Sequence, residues 1–161
     1  MGTRIVLFGT GNPSRGDDAL GPLLLERAVA WLSGQPGLEV DAVADFQLQV
    51  EHALDLQGSG LALFLDADVS CAGAYALRRV VPCDDQSHTT HELSPGAVLL
   101  VCRRVIGEEP PPAFSLGVRG ERFELGEPLS ASAARHLDAA WTCLQQLLLD
   151  GRPEAWAELA G

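Results

Sequence analysis

Short, uninterrupted apolar runs restrict the fold of this chain more than any other feature of its sequence. One run extends from Leu61 to Leu65 and stops at Asp66, and a similar run, residues 4–8, stops at Gly9. Strands that consist of continuous apolar runs, rather than alternating ones, are typical of parallel sheets that are covered on both faces. The sequence therefore predicts a central sheet that is buried between two outer layers.

Helical patterns separate the predicted strands. Apolar residues recur at spacings of three and four between Leu20 and Trp31, and a long amphipathic pattern runs from Ser130 to about Gly151. Shorter helices are predicted at 50–56 and 94–105, further strands at 38–44 and 114–118, and an edge strand at 75–81. This alternation predicts an α/β fold: a three-layer sandwich with a mostly parallel twisted sheet of about five strands flanked by helices on both faces. The length of 161 residues predicts one domain, residues 1–161.

Composition excludes several classes of function. The net charge is −11, and the cationic side chains are all arginines, since the sequence contains no lysine. Binding to a phosphate backbone requires concentrated positive charge, so we expect no nucleic-acid partner. No apolar stretch approaches the roughly 20 residues that span a bilayer, and the apolar opening is too short for a signal peptide. We therefore expect a soluble, cytoplasmic protein with no membrane partner. The four cysteines form no C-x-x-C pair and are expected to be reduced thiols.

The first predicted turn, GTGNPSRGDDALG from Gly9 to Gly21, is rich in glycine and acid. It departs from a dinucleotide-binding fingerprint because its third glycine, Gly16, comes two positions late. Asp17 and Asp18 would also repel a pyrophosphate at the start of the helix. A purely structural interpretation is that both carboxylates complement the positive end of that helix. The alternative is that this loop contributes an acidic functional group.

The third predicted strand ends in Asp66-Ala67-Asp68. An apolar strand followed by D-x-D resembles the nucleophile motif of the haloacid-dehalogenase phosphotransferases. Those enzymes commonly add a lysine for the phosphoryl group, and in this chain an arginine would have to take that place. A structural interpretation, with one carboxylate capping a turn and the other solvated, is equally compatible with the sequence.

His91 lies in a polar loop just before a predicted helix, whereas His88 in the same loop is interpreted as a surface residue. Ligands of parallel sheets bind at the carboxyl ends of the strands, where Asp18, Asp66 and His91 are all predicted to lie. Two carboxylates and an imidazole suit borderline divalent metals such as nickel or zinc. Three protein ligands would leave positions open for water or a substrate group.

These segments together resemble the hydrogenase maturation endopeptidases, which remove a carboxyl-terminal extension from the large subunit of nickel–iron hydrogenases after nickel insertion. The resemblance extends from Arg4 to about Leu148. It is carried by the GTGNPSRGDDALG turn, the LFLDADV strand, the HELSP segment, residues 115–118, and Gln47-Leu48 with Glu51 in the second-helix region.

The resemblance implies the roles of individual residues. Asp18, Asp66 and His91 correspond to the metal-coordinating and catalytic positions, with Asp18 standing where relatives often have glutamate. Asp17 is a possible competitor for that role or a supporting residue, and Asp68 is left outside the ligand set. The loop residues predicted to contact the substrate are Gly9, Gly11, Asn12, Gly16 and Asp17.

The resemblance also implies the chemistry. The nickel is carried by the substrate, and zinc or cadmium is expected to replace it in crystals. Cleavage would be metal-assisted: a polarised carbonyl, an activated water and a carboxylate that takes the proton. The implied partner is the precursor of the hydrogenase large subunit, and a monomer suffices for such a cleft. Two alternatives stay open, namely a phosphatase with Asp66 as nucleophile and Asp68 as acid, and a non-catalytic maturation chaperone.

Overall fold

The molecule is built around a five-stranded sheet with the strand order β2-β1-β3-β5-β4. The structure, a computed structural model, describes residues 3–84 and 92–161. The first four strands in that order are parallel, and β4 pairs antiparallel with β5 at one edge. The strands are β1 (Ile5–Thr10), β2 (Val40–Asp45), β3 (Leu61–Asp68), β4 (Tyr75–Val80) and β5 (Ala113–Arg119). The predicted α/β fold and the edge strand are thus confirmed.

In the described part of the chain, four α-helices cover the sheet, together with two short 3-10 helices at Gly16–Ala19 and Val50–Leu56. The α-helices are α1 (Leu20–Leu32), α2 (Pro95–Val101), α3 (Ala131–Asp150) and α4 (Pro153–Ala160). A π-helical segment, Cys102–Ile106, continues α2 and ends at Gly107. The hydroxyl oxygens of Ser94 and Ser130 accept backbone N–H groups in the first turns of α2 and α3, so both serines cap helices at the starts predicted from the sequence.

The side chains of β1 and β3 alternate between two apolar cores. Leu7 and Leu63 face the layer formed by α1, α3 and α4, whereas Phe8 and Phe64 face the layer that contains α2. The two phenylalanine rings stack at a centroid distance of 4.8 Å. Every residue of Ile5–Phe8 and Leu61–Leu65 is buried. The apolar runs are uninterrupted because both faces of these strands are covered, as inferred from the sequence.

Helix α4 was not predicted from the sequence. It begins at Pro153, directly after the end of α3 at Gly151, and carries Trp156 into the core. The Trp156 indole is fully buried, donates a hydrogen bond to the Leu147 carbonyl oxygen at 2.9 Å, and packs edge-on against Phe114 of β5. The segment therefore completes the layer formed by α1 and α3. Among the described residues, no helix has the length and apolar character needed to cross a membrane.

Candidate functional site

The carboxyl ends of β1 and β3 form the floor of a cleft on the α2 side of the sheet. Side-chain alternation places Thr10, Asp66 and Asp68 on the same face as Phe8 and Phe64. Two adjoining cavities of about 270 and 540 Å³ share five lining residues: Thr10, Asp66, Ala67, Asp68 and Glu92. They form one continuous depression, which we call the cleft.

Asp66 lies at the centre of the cleft. Its carboxylate retains access to water but is surrounded by protein, and Oδ1 accepts the Ala67 backbone N–H at 2.8 Å. Burial raises the pKa of Asp66 to about 7, and the Ala67 hydrogen bond offsets only part of that rise. The negative charges of Asp18, Glu92 and Asp68 raise this pKa further. A proton or a cation at Asp66 would relieve that repulsion.

Asp18 lies on the wall of the larger cavity, and the glycine-rich loop fixes its position. Its Oδ2 atom accepts the Asn12 backbone N–H at 2.7 Å. Gly11 adopts φ +142°, and a Cβ atom there would lie only 2.0 Å from the Asp18 carbonyl oxygen. Within the described chain, the Asp18 Oδ1 atom accepts no hydrogen bond. The loop thus presents one carboxylate oxygen of Asp18 that is not used internally.

Asp17 points away from the cleft, although it is adjacent to Asp18. Its carboxylate is fully buried and accepts the backbone N–H groups of Glu121, Arg122 and Ser130 and the Ser130 hydroxyl, at 2.8–3.1 Å. Burial alone would raise the pKa of Asp17, but these hydrogen bonds outweigh it and hold the pKa below its ordinary value. The contacts of Asp17 are internal to the chain, and its role in substrate binding stays a prediction.

The remaining loop residues predicted to contact substrate are divided between the cleft and the interior. Gly11 and Asn12 line the larger cavity. Gly9 packs against α1, where an added Cβ would lie 2.7 Å from the Leu25 Cβ. Gly16 adopts φ +55°, and an added Cβ would lie 2.5 Å from the Arg122 carbonyl oxygen. Close packing within the chain therefore explains Gly9 and Gly16, and their contact with a substrate stays a prediction.

The structure brings Asp18 and Asp66 to the same cleft, whereas His91 lies outside the described residues. In residues 3–84 and 92–161, no group of three carboxylate, imidazole or thiol side chains lies close enough together to hold a metal ion. The site predicted from the sequence needs His91 as its third ligand. The three-residue metal site therefore stays a prediction.

Asp68 belongs to a separate cluster at the end of β3. Its Oδ1 accepts the Ser70 backbone N–H and hydroxyl, and its Oδ2 accepts Nη1 of Arg78 at 2.6 Å. Burial would raise the pKa of Asp68, but hydrogen bonds from Ser70 and Arg78 hold it far below its ordinary value. The same carboxylate and burial raise the pKa of the neighbouring Cys71 thiol to about 11, with burial as the larger cause. Asp68 is therefore ionised, and Cys71 is a poor nucleophile.

Several cleft residues were missed by the sequence analysis. Glu92 directly follows His91 and lines both cavities, Arg78 of β4 lines the smaller cavity, and Phe46 and Phe123 line the larger one. Glu92 had a sequence signal, because it lies in the HELSP segment. Phe123 had none, since it reaches the cleft through long-range contacts such as the 3.2 Å hydrogen bond from Arg15 Nε to its carbonyl oxygen.

Comparisons with known proteins identify this fold. No protein-family model and no curated protein sequence matches the chain. Solved structures do match. The hydrogenase maturating endopeptidase HybD from E. coli superposes with a TM-score of 0.67 at 22% identity, over 92% of this chain and 94% of that one. The [NiFe] hydrogenase maturation protease HycI from Thermococcus kodakarensis KOD1 gives 0.64 at 23% identity, over 91% and 93%.

A third match, the endopeptidase HycI from Escherichia coli, has a TM-score of 0.64 at 20% identity and covers 93% of both chains. These matches extend over nearly the whole described chain, which agrees with the extent of the resemblance inferred from the sequence motifs. The resemblance is confirmed at the level of the backbone. The chain has the fold of the hydrogenase maturation endopeptidases.

Proposed function

We propose that this protein is an endopeptidase that removes the carboxyl-terminal extension of a nickel–iron hydrogenase large-subunit precursor after nickel insertion. The observation that carries the proposal is that Asp18 and Asp66, far apart in sequence, line one cleft at the carboxyl edge of the sheet in a chain with the fold of these proteases. The mutual repulsion of the carboxylates around Asp66 favours a cation there. His91 is the third ligand in this proposal.

The metal in this scheme arrives with the substrate. Nickel already held by the precursor gains ligands from Asp18, Asp66 and His91, and this coordination fixes the scissile peptide in the cleft. Zinc or cadmium is expected to occupy the same ligands in crystals. We expect a monomer to act on one precursor in the cytoplasm.

Hydrolysis then requires a polarised carbonyl, a water molecule and a base. Water attacks the carbonyl carbon, the carbon–nitrogen bond breaks, and the proton taken from the water is passed to the leaving amine. Glu92 is our candidate for that base, since its carboxylate lines both cavities and is outside the proposed ligand set.

The phosphatase alternative is disfavoured by the protonation state of Asp68. A phosphatase with Asp66 as nucleophile and Asp68 as acid needs an ionised Asp66 and a protonated Asp68. The surroundings of Asp68 act in the opposite sense, because hydrogen bonds from Ser70 and Arg78 hold its pKa far below its ordinary value.

The test compares nickel-loaded and nickel-free precursor from the source organism as substrates for the purified protein. We expect release of the extension, seen by mass spectrometry, from the nickel-loaded precursor alone, and a large loss of activity in Asp18→Asn. The matched control is Asp41→Asn, which removes a carboxylate from an exposed pair with Arg4.

Absence of cleavage from both precursors would refute the proposal. Binding of precursor without cleavage would favour the maturation-chaperone alternative, and magnesium-dependent phosphatase activity that Asp66→Asn abolishes would favour the phosphotransferase.

A further inference from the structure

Arg78 of the edge strand β4 has its side chain on the α2 side of the sheet, at the wall of the cleft. Arg78 of β4 lies opposite Ser115 of β5 in the strand register, two positions from the pairing of Ala76 with Gly117. Its guanidinium reaches Asp68 Oδ2 at 2.6 Å. It therefore crosses the small residues Ala76 and Gly117 to reach the end of β3.

Gly117 makes this arrangement possible. A Cβ atom at this position would lie 2.8 Å from the Asp68 Cβ and 2.9 Å from Asp68 Oδ2. Real Cβ atoms do not approach so closely, so any larger residue would displace the Asp68 carboxylate and with it the guanidinium. Asp68 is thus a positioning residue, which acts through Arg78.

Among the described residues, Arg78 uses little of its hydrogen-bonding capacity. A guanidinium has five N–H donors, and Asp68 is its one hydrogen-bond partner within residues 3–84 and 92–161. The side chain is 51% exposed, whereas that of Asp68 is 19% exposed. The pair therefore holds the guanidinium in place while leaving donors directed to solvent in the cleft.

The cleft continues past Arg78 and away from Asp18. The cavity of about 270 Å³ beside Asp66 adjoins a third cavity of about 480 Å³ over the β4 edge, and the two share four lining residues: Arg78, Ser94, Pro95 and Ser115. Asp18 lines only the opposite end, in the cavity of about 540 Å³. A groove thus runs from the acidic end, past Asp66, to the guanidinium.

We propose that Arg78 is a specificity residue that binds a carboxylate in the segment the protease removes, on the carboxyl-terminal side of the scissile bond. This inference rests on the proposed function. In the proposed function the nickel stays with the retained part of the precursor, so a nickel bound at Asp18 and Asp66 would leave the Arg78 end of the groove to the released segment. A planar guanidinium binds a carboxylate through two parallel hydrogen bonds. The carboxylate belongs either to an acidic side chain or to the chain terminus.

The first measurement is binding of a fluorescently labelled synthetic peptide that reproduces the carboxyl-terminal segment of the precursor. We expect Arg78→Gln to weaken binding about tenfold, the typical effect of losing a charge-assisted hydrogen-bonded pair. Arg78→Lys should restore part of the affinity, because it keeps the charge without the planar fork. Arg27→Gln is the matched control, since Arg27 forms a similar exposed pair with Asp138 at 2.7 Å on the other side of the sheet.

The second measurement identifies the carboxylate. One peptide carries an amidated terminus, and others replace each acidic side chain by its amide. In the wild type one of these changes should weaken binding about tenfold, and the same change should have no effect in Arg78→Gln. With the complete precursor, Arg78→Gln should raise KM and leave kcat unchanged, and Asp68→Asn should also raise KM.

The proposal would be overturned if the wild type fails to bind the peptide, or if wild type and Arg78→Gln bind it with equal affinity. It would also be overturned if every amide substitution in the peptide lowers the affinity of both proteins by the same factor. If the wild type binds the peptide through Arg78 but cleaves no precursor, the proposed function fails and the recognition site stands. If it cleaves with a KM that is independent of Arg78, the proposed function stands and the recognition site fails.

Discussion

Asp17 and Ser130 are joined by two hydrogen bonds, one from the Ser130 backbone N–H to Oδ1 and one from the Ser130 hydroxyl to Oδ2 of Asp17, each 2.8 Å long. Ser130 is also the N-cap of α3, where its Oγ accepts the Ala133 N–H at 3.2 Å. One carboxylate therefore ties the loop after β1 to the beginning of the longest helix, 113 residues later in the chain.

Asp17→Asn should lower the free energy of unfolding by about 2–3 kcal/mol, because the amide nitrogen cannot accept the hydrogen bonds that the carboxylate oxygen accepts. Urea unfolding at neutral pH measures this loss. Asp41→Asn is the control, since its exposed pair with Arg4 is worth about 0–1 kcal/mol. Equal losses in the two variants would contradict the structural role of Asp17.

The acid side of the stability profile should show the same interaction. The pKa of Asp17 is lowered on folding from an ordinary value of 3.8, so its stabilising effect is present above that pH and is lost as the pH falls through the folded-state pKa. The difference in unfolding free energy between wild type and Asp17→Asn should therefore shrink in strong acid. A difference that is constant from neutral pH to strong acid would rule this out.

Asp66→Asn should have the opposite effect and stabilise the protein at pH 8. Folding raises the pKa of Asp66 from 3.8 to about 7, so the wild type loses stability as the pH rises through that interval. Asparagine carries no charge and avoids this loss. The gain should vanish near pH 4, which chemical denaturation at the two pH values can establish. A gain that is equal at both would show that charge is not its cause.

Metal affinity should depend on pH through the same carboxylate. If Asp66 is a ligand, protons compete with the metal below pH 7, and cadmium affinity should fall by up to about tenfold per pH unit there. Isothermal titration with cadmium measures this slope. In Asp66→Asn the affinity should be lower and the slope smaller, with the remaining dependence due to His91. An unchanged slope would remove Asp66 from the ligand set.

Gly11→Ala should disrupt the cleft more than glycine substitution does elsewhere. At φ +142°, with the Asp18 carbonyl oxygen 2.0 Å from the new Cβ, the loop must move, at a cost of about 2 kcal/mol or more. Gly58→Ala is a matched control, because Gly58 also has a positive φ but its nearest neighbour, Arg4 Nη1, is 3.8 Å away. We expect Gly11→Ala alone to weaken cadmium binding, and equal binding by the two variants would contradict this.

The fold was predictable because short local sequence patterns specify its strands and the starts of its helices. The buried run Leu61–Leu65 lies in the strand it predicted, and Ser94 and Ser130 stand directly before the helices predicted to begin at those positions. Helix α4 was missed because its eight residues are too few to show a helical repeat, and its position depends on Trp156 packing between distant elements.

The candidate site was only partly predictable. Asp18 and Asp66 follow strand ends, and that position is a local signal. No local signal predicts the opposite orientations of Asp17 and Asp18. The backbone N–H groups of Glu121, Arg122 and Ser130, which are distant in sequence, hold Asp17 in the interior. Arg78 likewise gains its significance from the antiparallel pairing of β4 with β5, which no local pattern specified.

The position of Trp156 makes the carboxyl-terminal helix observable in solution. Trp31 and Trp141 contact each other edge to face where α1 meets α3 and are only partly buried, whereas Trp156 is fully enclosed beside Phe114. Replacing Trp31 and Trp141 by phenylalanine would leave one emitter, whose blue-shifted fluorescence reports whether α4 is seated. Any tag or fusion attached after Gly161 can then be judged by that emission before activity is measured.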